Sequence, residues 1–135
     1  MNHFSNKGYY PIHIAALNNH PPVIDLLVER GANVDSMCDN KCTPMHLAAK
    51  KGHSKVIYAL FHHGASLYKV DDRSWNALHY ATFYEHKEVA HMLCRFDGDN
   101  EQLRGMRNTK GQIPKDLATN TDIKFAYQSN IFTIK

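Results

Sequence analysis

The chain has 135 residues, and its 16 Lys and Arg against 13 Asp and Glu give a formal net charge of +3. Because the basic residues are spread along the chain without forming a run, this charge argues against binding to nucleic acid or to an anionic membrane. No apolar stretch approaches the ~20 residues of a membrane-spanning helix, and the N-terminus lacks the pattern of a signal peptide. Three cysteines, an odd number without a secretory signal, indicate reduced thiols and an intracellular protein, with the cytoplasm favoured over the nucleus.

One stretch near the middle of the chain predicts a pair of helices. Thr43 is suited to cap a helix that begins at Pro44, because the fixed φ of proline matches the first helical turn. Gly52 suits the left-handed residue that ends this helix. From Ser54 onward apolar residues recur at helical spacing, which predicts a second helix that ends at Gly64. The unit is therefore a helix, a tight turn, a second helix and an extended loop.

The same unit recurs along the chain. Residues 10–16 resemble residues 43–49 at a step of 33, and residues 76–81 follow at the same step. A fourth copy at residues 113–118 follows after 37 residues, so about four residues are inserted before it. A step of 33 residues with an opening similar to threonine-proline-leucine-histidine is typical of ankyrin repeats, and the chain resembles that family over roughly residues 5–128.

This resemblance implies a fold and a division into units. The expected fold class is all-α: an ankyrin-repeat solenoid of about four helix-turn-helix units joined by hairpin-like loops. The expected bounds within a single domain at 1–135 are 5–37, 38–70, 71–106 and 107–128 for the repeats, with a tail at 129–135. A repeat fold does not by itself determine the function of a protein.

In the first repeat we predict helices at residues 11–18 and from Pro21 onward, after a leading turn at residues 7–9. The predicted core residues of this repeat are Ile14, Ala15, Val23, Ile24, Leu26 and Leu27. The repeat shows no polar outer face of the kind that ends a repeat array. This pattern favours a fragment of a longer array over an end face that meets something else.

Several positions depart from the family's pattern. Lys41 and Ser74 stand where a loop glycine is usual, and Glu85 stands where a helix-ending glycine is usual. We therefore expect the turn at Lys41 to be strained or differently shaped. The remaining predicted elements are a helix at 87–94, an irregular loop at 95–103 that carries the insertion, and a polar, capping helix at 121–128.

Histidines are the most abundant candidate ligands, and the resemblance accounts for six of the ten. It implies that one in-phase set forms structural hydrogen bonds across neighbouring repeats and that a second set sits at the turns between helices. The first set is His13, His46 and His79, and the second is His20, His53 and His86. In-phase histidines stand about one repeat apart, too far to share a metal ion through ~2 Å bonds.

Other candidate chemistry is weak. Cys38 and Cys42 flank a loop tip, but a structural zinc site needs four ligands and no second close pair is present; a redox switch between the two thiols is a minor alternative. Acidic residues between 97 and 101 lack the glycine and late glutamate of a calcium loop. The sequence contains no phosphate-binding loop, nucleophile elbow or helix with paired metal-binding histidines. We therefore predict no metal, no cofactor and no enzymatic activity.

In ankyrin repeats the concave side, built from loop tips and first helices, usually carries the binding site, and the resemblance transfers that side to specific residues here. The predicted partner-binding residues are Tyr9, Lys50, Lys51, Asp72, Arg73, Trp75, Phe83, Tyr84, Lys110 and Gln112. Trp75, Phe83 and Tyr84 should cluster beside Arg73, and aromatic residues with arginine are typical of binding hot spots. The alternative is that Trp75 and Phe83 pack between repeats.

The sequence therefore predicts a non-catalytic, monomeric protein-protein interaction module whose partner has acidic residues around an apolar anchor. Two other functions stay open. The repeats are a targeting or regulatory segment of a larger enzyme or channel, or they form a structural array that self-associates through its uncapped first repeat.

Overall fold

The computed structural model describes residues 7–119 of the chain. In this part the chain forms six α-helices and no β-strand, which confirms the predicted all-α class. The helix bounds are Pro11–Leu17 for α1, Pro21–Glu29 for α2, Pro44–Lys51 for α3, Ser54–His62 for α4, Ala77–Phe83 for α5 and Lys87–Asp97 for α6. Short 3-10 turns follow at Gly98–Asn100, Leu103–Gly105 and Pro114–Leu117.

The second unit shows how the sequence fixes the local structure. Thr43 Oγ1 accepts a hydrogen bond from the backbone N–H of His46 at 3.3 Å, and Pro44 occupies the first helical position of α3. Gly52 ends α3 with a φ of 77°, in the left-handed region that side chains disfavour. This turn lets α4 begin almost at once, at Ser54.

Successive units stack in register. Helix α3 packs between α1 and α5, while α4 packs between α2 and α6. Ala48 and Ala49 are fully buried, because α3 lies close to both of its neighbours. The apolar core runs between the two rows of helices and includes Ile57, Leu60 and Leu93, each of which contributes about 2 kcal/mol through burial.

The first unit exposes part of its apolar surface. Of its six predicted core residues, Ala15 and Ile24 are buried and Leu27 is half-buried, whereas Ile14, Val23 and Leu26 are exposed. The residues that occupy the places of Ile14 and Val23 in the second unit, Leu47 and Val56, are buried within the stack. The prediction is therefore wrong for Ile14, Val23 and Leu26, because no described helix packs on that side of α1 and α2.

The segment after the third unit is more regular than predicted. Helix α6 continues past residue 94 to Asp97, so the predicted irregular loop is wrong over residues 95–100. The carboxylate of Asp97 is buried and accepts hydrogen bonds from the backbone N–H of Leu103 at 3.0 Å and the hydroxyl of Tyr68 at 3.2 Å. Arg104 Nε lies 3.4 Å from the same carboxylate. These bonds hold the inserted residues against the end of α6.

The fourth unit begins with the 3-10 turn Pro114–Leu117 rather than a full α-helix. The predicted helix at 121–128 and the tail at 129–135 lie outside the described residues. Gly8 has a φ of 75°, as the predicted leading turn requires.

Residues other than glycine occupy four left-handed positions of the repeats, the first of which is Asn19 with a φ of 60°. Lys41 has a φ of 70°, Ser74 of 61° and Glu85 of 63°, whereas Gly111 has a φ of 76° at the corresponding place in the last loop. The loop at Lys41 therefore keeps the shape of the glycine-containing loop. The left-handed conformation nevertheless destabilises the folded chain at Lys41, because a residue with a Cβ atom in this region costs roughly 1–2 kcal/mol.

We expect Lys41→Gly to raise the free energy of unfolding by about 1 kcal/mol, since glycine adopts this φ without the Cβ penalty. The Lys41 side chain is exposed, so little packing is lost. Chemical denaturation followed by circular dichroism measures the change. Lys41→Ala is the matched control, because it removes the same side chain but keeps the Cβ atom. Equal effects of both substitutions would contradict this explanation.

Candidate functional site

The loop tips lie side by side on one edge of the stack. Each tip is joined to the preceding one by a backbone hydrogen bond, which fixes their spacing. The bonds run from Asp39 N to Lys7 O at 3.0 Å, from Asp72 N to Asn40 O at 3.1 Å and from Thr109 N to Arg73 O at 3.0 Å. The tips therefore form a continuous, preformed surface.

A groove of about 430 Å³ opens between these tips and the first helices. Four of the predicted site residues line it: Tyr9, Lys50, Arg73 and Tyr84. Seven further residues that were not predicted complete the lining, and Cys42 and Tyr80 are among them. The groove is large enough for one or two side chains of a partner.

An aromatic cluster lies at the rim of this groove. The ring centroids of Trp75 and Phe83 are 5.4 Å apart and those of Phe83 and Tyr84 are 5.0 Å apart, each pair in an edge-to-face arrangement. The guanidinium carbon of Arg73 lies 4.4 Å from the Trp75 ring, and Lys50 Nζ lies 5.7 Å from the Tyr84 ring. Both cations are close enough for cation–π attraction.

Members of the cluster differ in exposure. Phe83 is 48% exposed and Tyr84 is 41% exposed, whereas Trp75 is only 9% exposed. The indole packs against Tyr80 at a centroid distance of 5.1 Å as well as against Phe83. Trp75 therefore lacks the exposure that an anchor for a partner needs, and the guanidinium of Arg73 lies over its ring.

The other predicted residues lie around the groove rather than in it. Lys51 is exposed at the end of α3, and Asp72 and Lys110 are exposed on loop tips. The polar groups of Gln112 form hydrogen bonds within the protein instead. Its backbone oxygen lies 2.9 Å from His79 Nε2, and its side-chain oxygen accepts a hydrogen bond from Asn108 Nδ2 at 3.0 Å.

A comparison with protein-family models decides the classification. Residues 12–104 match the model described as ankyrin repeats (3 copies). The chain belongs to the ankyrin-repeat family. Ankyrin repeats are generic protein-protein interaction modules, and the ankyrin helix pairs of this chain are the units seen in the stack. A search of curated proteins found no match.

The first set of ankyrin histidines forms hydrogen bonds to backbone groups of its own and of neighbouring units. Nδ1 of His13, His46 and His79 accepts a hydrogen bond from a backbone N–H of the same unit, which leaves Nε2 to donate. Nε2 lies 3.0 Å from Cys42 O, 2.9 Å from Lys69 O and 2.9 Å from Gln112 O, respectively. The predicted bonds across repeats are therefore confirmed for His13 and His79, whereas Lys69 belongs to the same repeat, 38–70, as His46.

Burial holds these histidines neutral. It lowers the pKa of His13 and His79 below the ordinary value and lowers the pKa of His46 to about 4. A proton on Nδ1 would also remove the acceptor that the backbone N–H uses. These histidines therefore act as neutral hydrogen-bonding groups that stabilise the fold.

The second set of histidines lies at the turns between helices, and two of its members form hydrogen bonds to backbone oxygens of the preceding unit. His53 Nε2 lies 3.1 Å from Leu17 O, and His86 Nε2 lies 2.8 Å from Lys50 O. Each turn is thereby fixed to the end of the preceding unit's first helix. This bond also fixes the end of α3 next to Lys50, at the edge of the groove.

Tyr80 is the functional candidate that the sequence analysis missed. Its side chain is buried, and its hydroxyl donates a hydrogen bond to the carboxylate of Asp71 and accepts one from Arg73 Nη2 at 3.3 Å. Burial and the bond to Asp71 raise the pKa of Tyr80 above its ordinary value, so the hydroxyl stays protonated. A sequence signal was present, because Tyr80 occupies the place that Ile14 and Leu47 hold in the other units.

The thiols of Cys42 and Cys94 are poor nucleophiles. Burial raises the pKa of Cys42 to about 11 and that of Cys94 to about 12, so both are protonated at neutral pH. All three cysteines are free. Within residues 7–119 no group of three or more potential metal ligands is present, and none of the helices there is long and apolar enough to cross a bilayer.

Proposed function

We propose that this chain is a non-catalytic module that binds another protein through the concave surface around Phe83 and Tyr84. The observation that carries the proposal is an exposed aromatic pair, 48% and 41% accessible, flanked by two cations at the rim of a preformed groove. A typical interface of this kind buries on the order of 800 Å² on each partner.

The charges at the rim favour a partner with acidic residues around an apolar anchor. Among residues 7–119 no carboxylate forms an ion pair with Lys50 or Arg73, and Lys51 extends the positive surface. The apolar faces of Phe83 and Tyr84 would contact the anchor, and the cations would contact its acidic neighbours. The three free thiols support an intracellular location for this interaction.

The double substitution Phe83→Ala/Tyr84→Ala tests the proposal. Quantitative affinity capture from cell extract should identify a protein that the wild type retains, and the affinity of the purified partner for the double variant should fall at least about tenfold. Both side chains are half exposed, so the helical content should stay unchanged.

Tyr58→Ala provides the matched control, because Tyr58 is an exposed aromatic residue, 53% accessible, on the outer helix α4. Equal affinity of the wild type and the double variant would refute the proposed surface. Sedimentation of the purified chain over a concentration series checks that it is a monomer. A concentration-dependent mass would instead favour self-association through the exposed residues Ile14 and Val23 of the first unit.

A further inference from the structure

We propose that the groove bordered by the loop tips at Lys7, Asp39 and Arg73 binds an oxyanion of the partner, a carboxylate or a phosphate, through Arg73 and Lys50, with Tyr80 as the positioning residue. This inference rests on the proposed function, because it names the chemical group that the partner places in the groove. It differs from the aromatic contact, because Tyr80 lines the groove and Phe83 does not.

Arg73 is held in place before any ligand arrives. Its guanidinium lies on the Trp75 ring, and its Nη2 donates to the Tyr80 hydroxyl at 3.3 Å. The Tyr80 hydroxyl in turn donates to Asp71. The Asp71 carboxylate also accepts the backbone N–H of Arg73 at 2.9 Å and that of Trp75 at 3.0 Å, so the loop tip and the side chain share one network.

This network uses only one of the five N–H donors that a guanidinium carries. An arginine on a loop tip normally loses considerable rotamer freedom when it binds a ligand, and that loss weakens binding. Here Trp75 and Tyr80 already restrict the side chain. The remaining donors can therefore bind a planar carboxylate or a phosphate at a smaller entropic cost.

The electrostatics of the groove favour an anion. Its lining carries the cationic side chains of Lys7, Lys50 and Arg73 against one exposed carboxylate, that of Asp39. The second carboxylate nearby, Asp71, is buried and bonded to the Tyr80 hydroxyl and the backbone of its own loop. An oxyanion between Arg73 and Lys50 would complete the charge balance of the groove.

The stack itself does not require this arrangement. The places that correspond to Tyr80 in the first two units hold Ile14 and Leu47, and the place of Arg73 in the second unit holds Asn40. An apolar side chain therefore suffices for packing at this position. A buried hydroxyl costs free energy unless it is hydrogen-bonded, and here its bonds lead to Arg73 at the groove. The hydroxyl thus connects the buried carboxylate of Asp71 to Arg73 at the groove, a connection that the first two units lack.

The test is a titration of the purified chain with inorganic phosphate and, separately, with acetate, each against sodium chloride of equal ionic strength. The readout is the NMR signal of Arg73 Nε–Hε together with the fluorescence of Trp75, the single tryptophan of the chain. We expect saturable changes with at least one oxyanion and none with chloride. The phosphate and acetate arms distinguish a phosphorylated side chain of the partner from an acidic one.

In Tyr80→Phe the ring is kept and only the hydroxyl is lost, so the affinity for the oxyanion should fall about tenfold while the circular dichroism spectrum is unchanged. Lys87→Gln, on the exposed start of α6, is the control for a general loss of positive charge. Wild-type affinity in Tyr80→Phe, or the same response to chloride as to both oxyanions, would overturn the inference.

Arg73→Gln keeps the inference falsifiable if Tyr80→Phe does not fold, because Arg73 is exposed and its removal leaves the core intact. This variant should lose the saturable response, and an unchanged response would refute the site. Since the probes are simple anions, a negative result leaves the aromatic surface to be judged by its own capture experiment.

Discussion

Lowering the pH from about 7 to about 5 should reduce the free energy of unfolding by roughly 2 kcal/mol through His46 alone. Burial holds the pKa of His46 at about 4 in the folded chain, whereas an unfolded histidine has a pKa of about 6.5. Below pH ~6.5 the unfolded chain therefore binds a proton that the folded chain excludes. The contribution of His46 to the free energy of unfolding is fully present above pH ~6.5. It is lost as the pH falls to the folded pKa of about 4, for a total loss of about 3 kcal/mol.

His13 and His79 add to this loss, because burial lowers their pKa values in the same direction. Urea denaturation at a series of pH values above ~5 measures the effect before most carboxylates titrate. The slope of stability against pH should be smaller in His46→Gln, which has no titrating group at this position. His20→Gln, at an exposed position, is the control for the replacement of a histidine by glutamine. Constant stability between pH ~6.5 and ~5 would contradict the neutral, buried histidines.

Trp75→Ala should lower the free energy of unfolding by about 3 kcal/mol, a cost typical of removing a large buried aromatic side chain. The indole is 9% exposed and packs against Tyr80, Phe83 and the guanidinium of Arg73. Removing it leaves a cavity between the third loop and α5. Denaturation followed by circular dichroism measures the loss without the tryptophan signal.

Trp75→Phe is the matched comparison, because it keeps an aromatic ring against Tyr80 and should lose less than half as much stability. A loss below about 1 kcal/mol in Trp75→Ala would mean that the side chain behaves as a surface residue. This expectation also determines how binding is tested. A partner lost in Trp75→Ala could be lost through unfolding of the loop, so Phe83 and Tyr84 are the appropriate positions for the interaction experiment.

The repeat architecture was predictable because its determinants are local and repeated. Thr43 and Pro44 specify a helix start, Gly52 specifies its end, and the same residue types return at a step of 33. The bonds that the histidines make across units followed from the resemblance to ankyrin repeats. The loop at Lys41 kept its shape although the usual glycine was missing, because the backbone bonds of neighbouring tips and the adjacent helices outweigh a local cost of roughly 1–2 kcal/mol.

The candidate site was predictable only in outline. The resemblance predicted that Arg73, Phe83 and Tyr84 cluster with Trp75, and their side chains do contact one another in a row through the Trp75 ring. It also placed Trp75 on the concave side, but whether a large side chain at a loop faces solvent depends on the space that its neighbours leave. The Trp75 ring fits beneath Arg73 and against Tyr80, and it is buried.

The amino-acid sequence by itself determined the helix-turn-helix unit, its repetition and the family, because caps, turns and hydrophobic spacing act over a few residues. Only the tertiary structure decided that Ile14 and Val23 are exposed while Trp75 is buried, and that Tyr80 connects Asp71 to Arg73. Burial and side-chain hydrogen bonds depend on the positions of atoms in neighbouring units. The spacing of residues along the chain does not give these positions with the precision that a hydrogen bond requires.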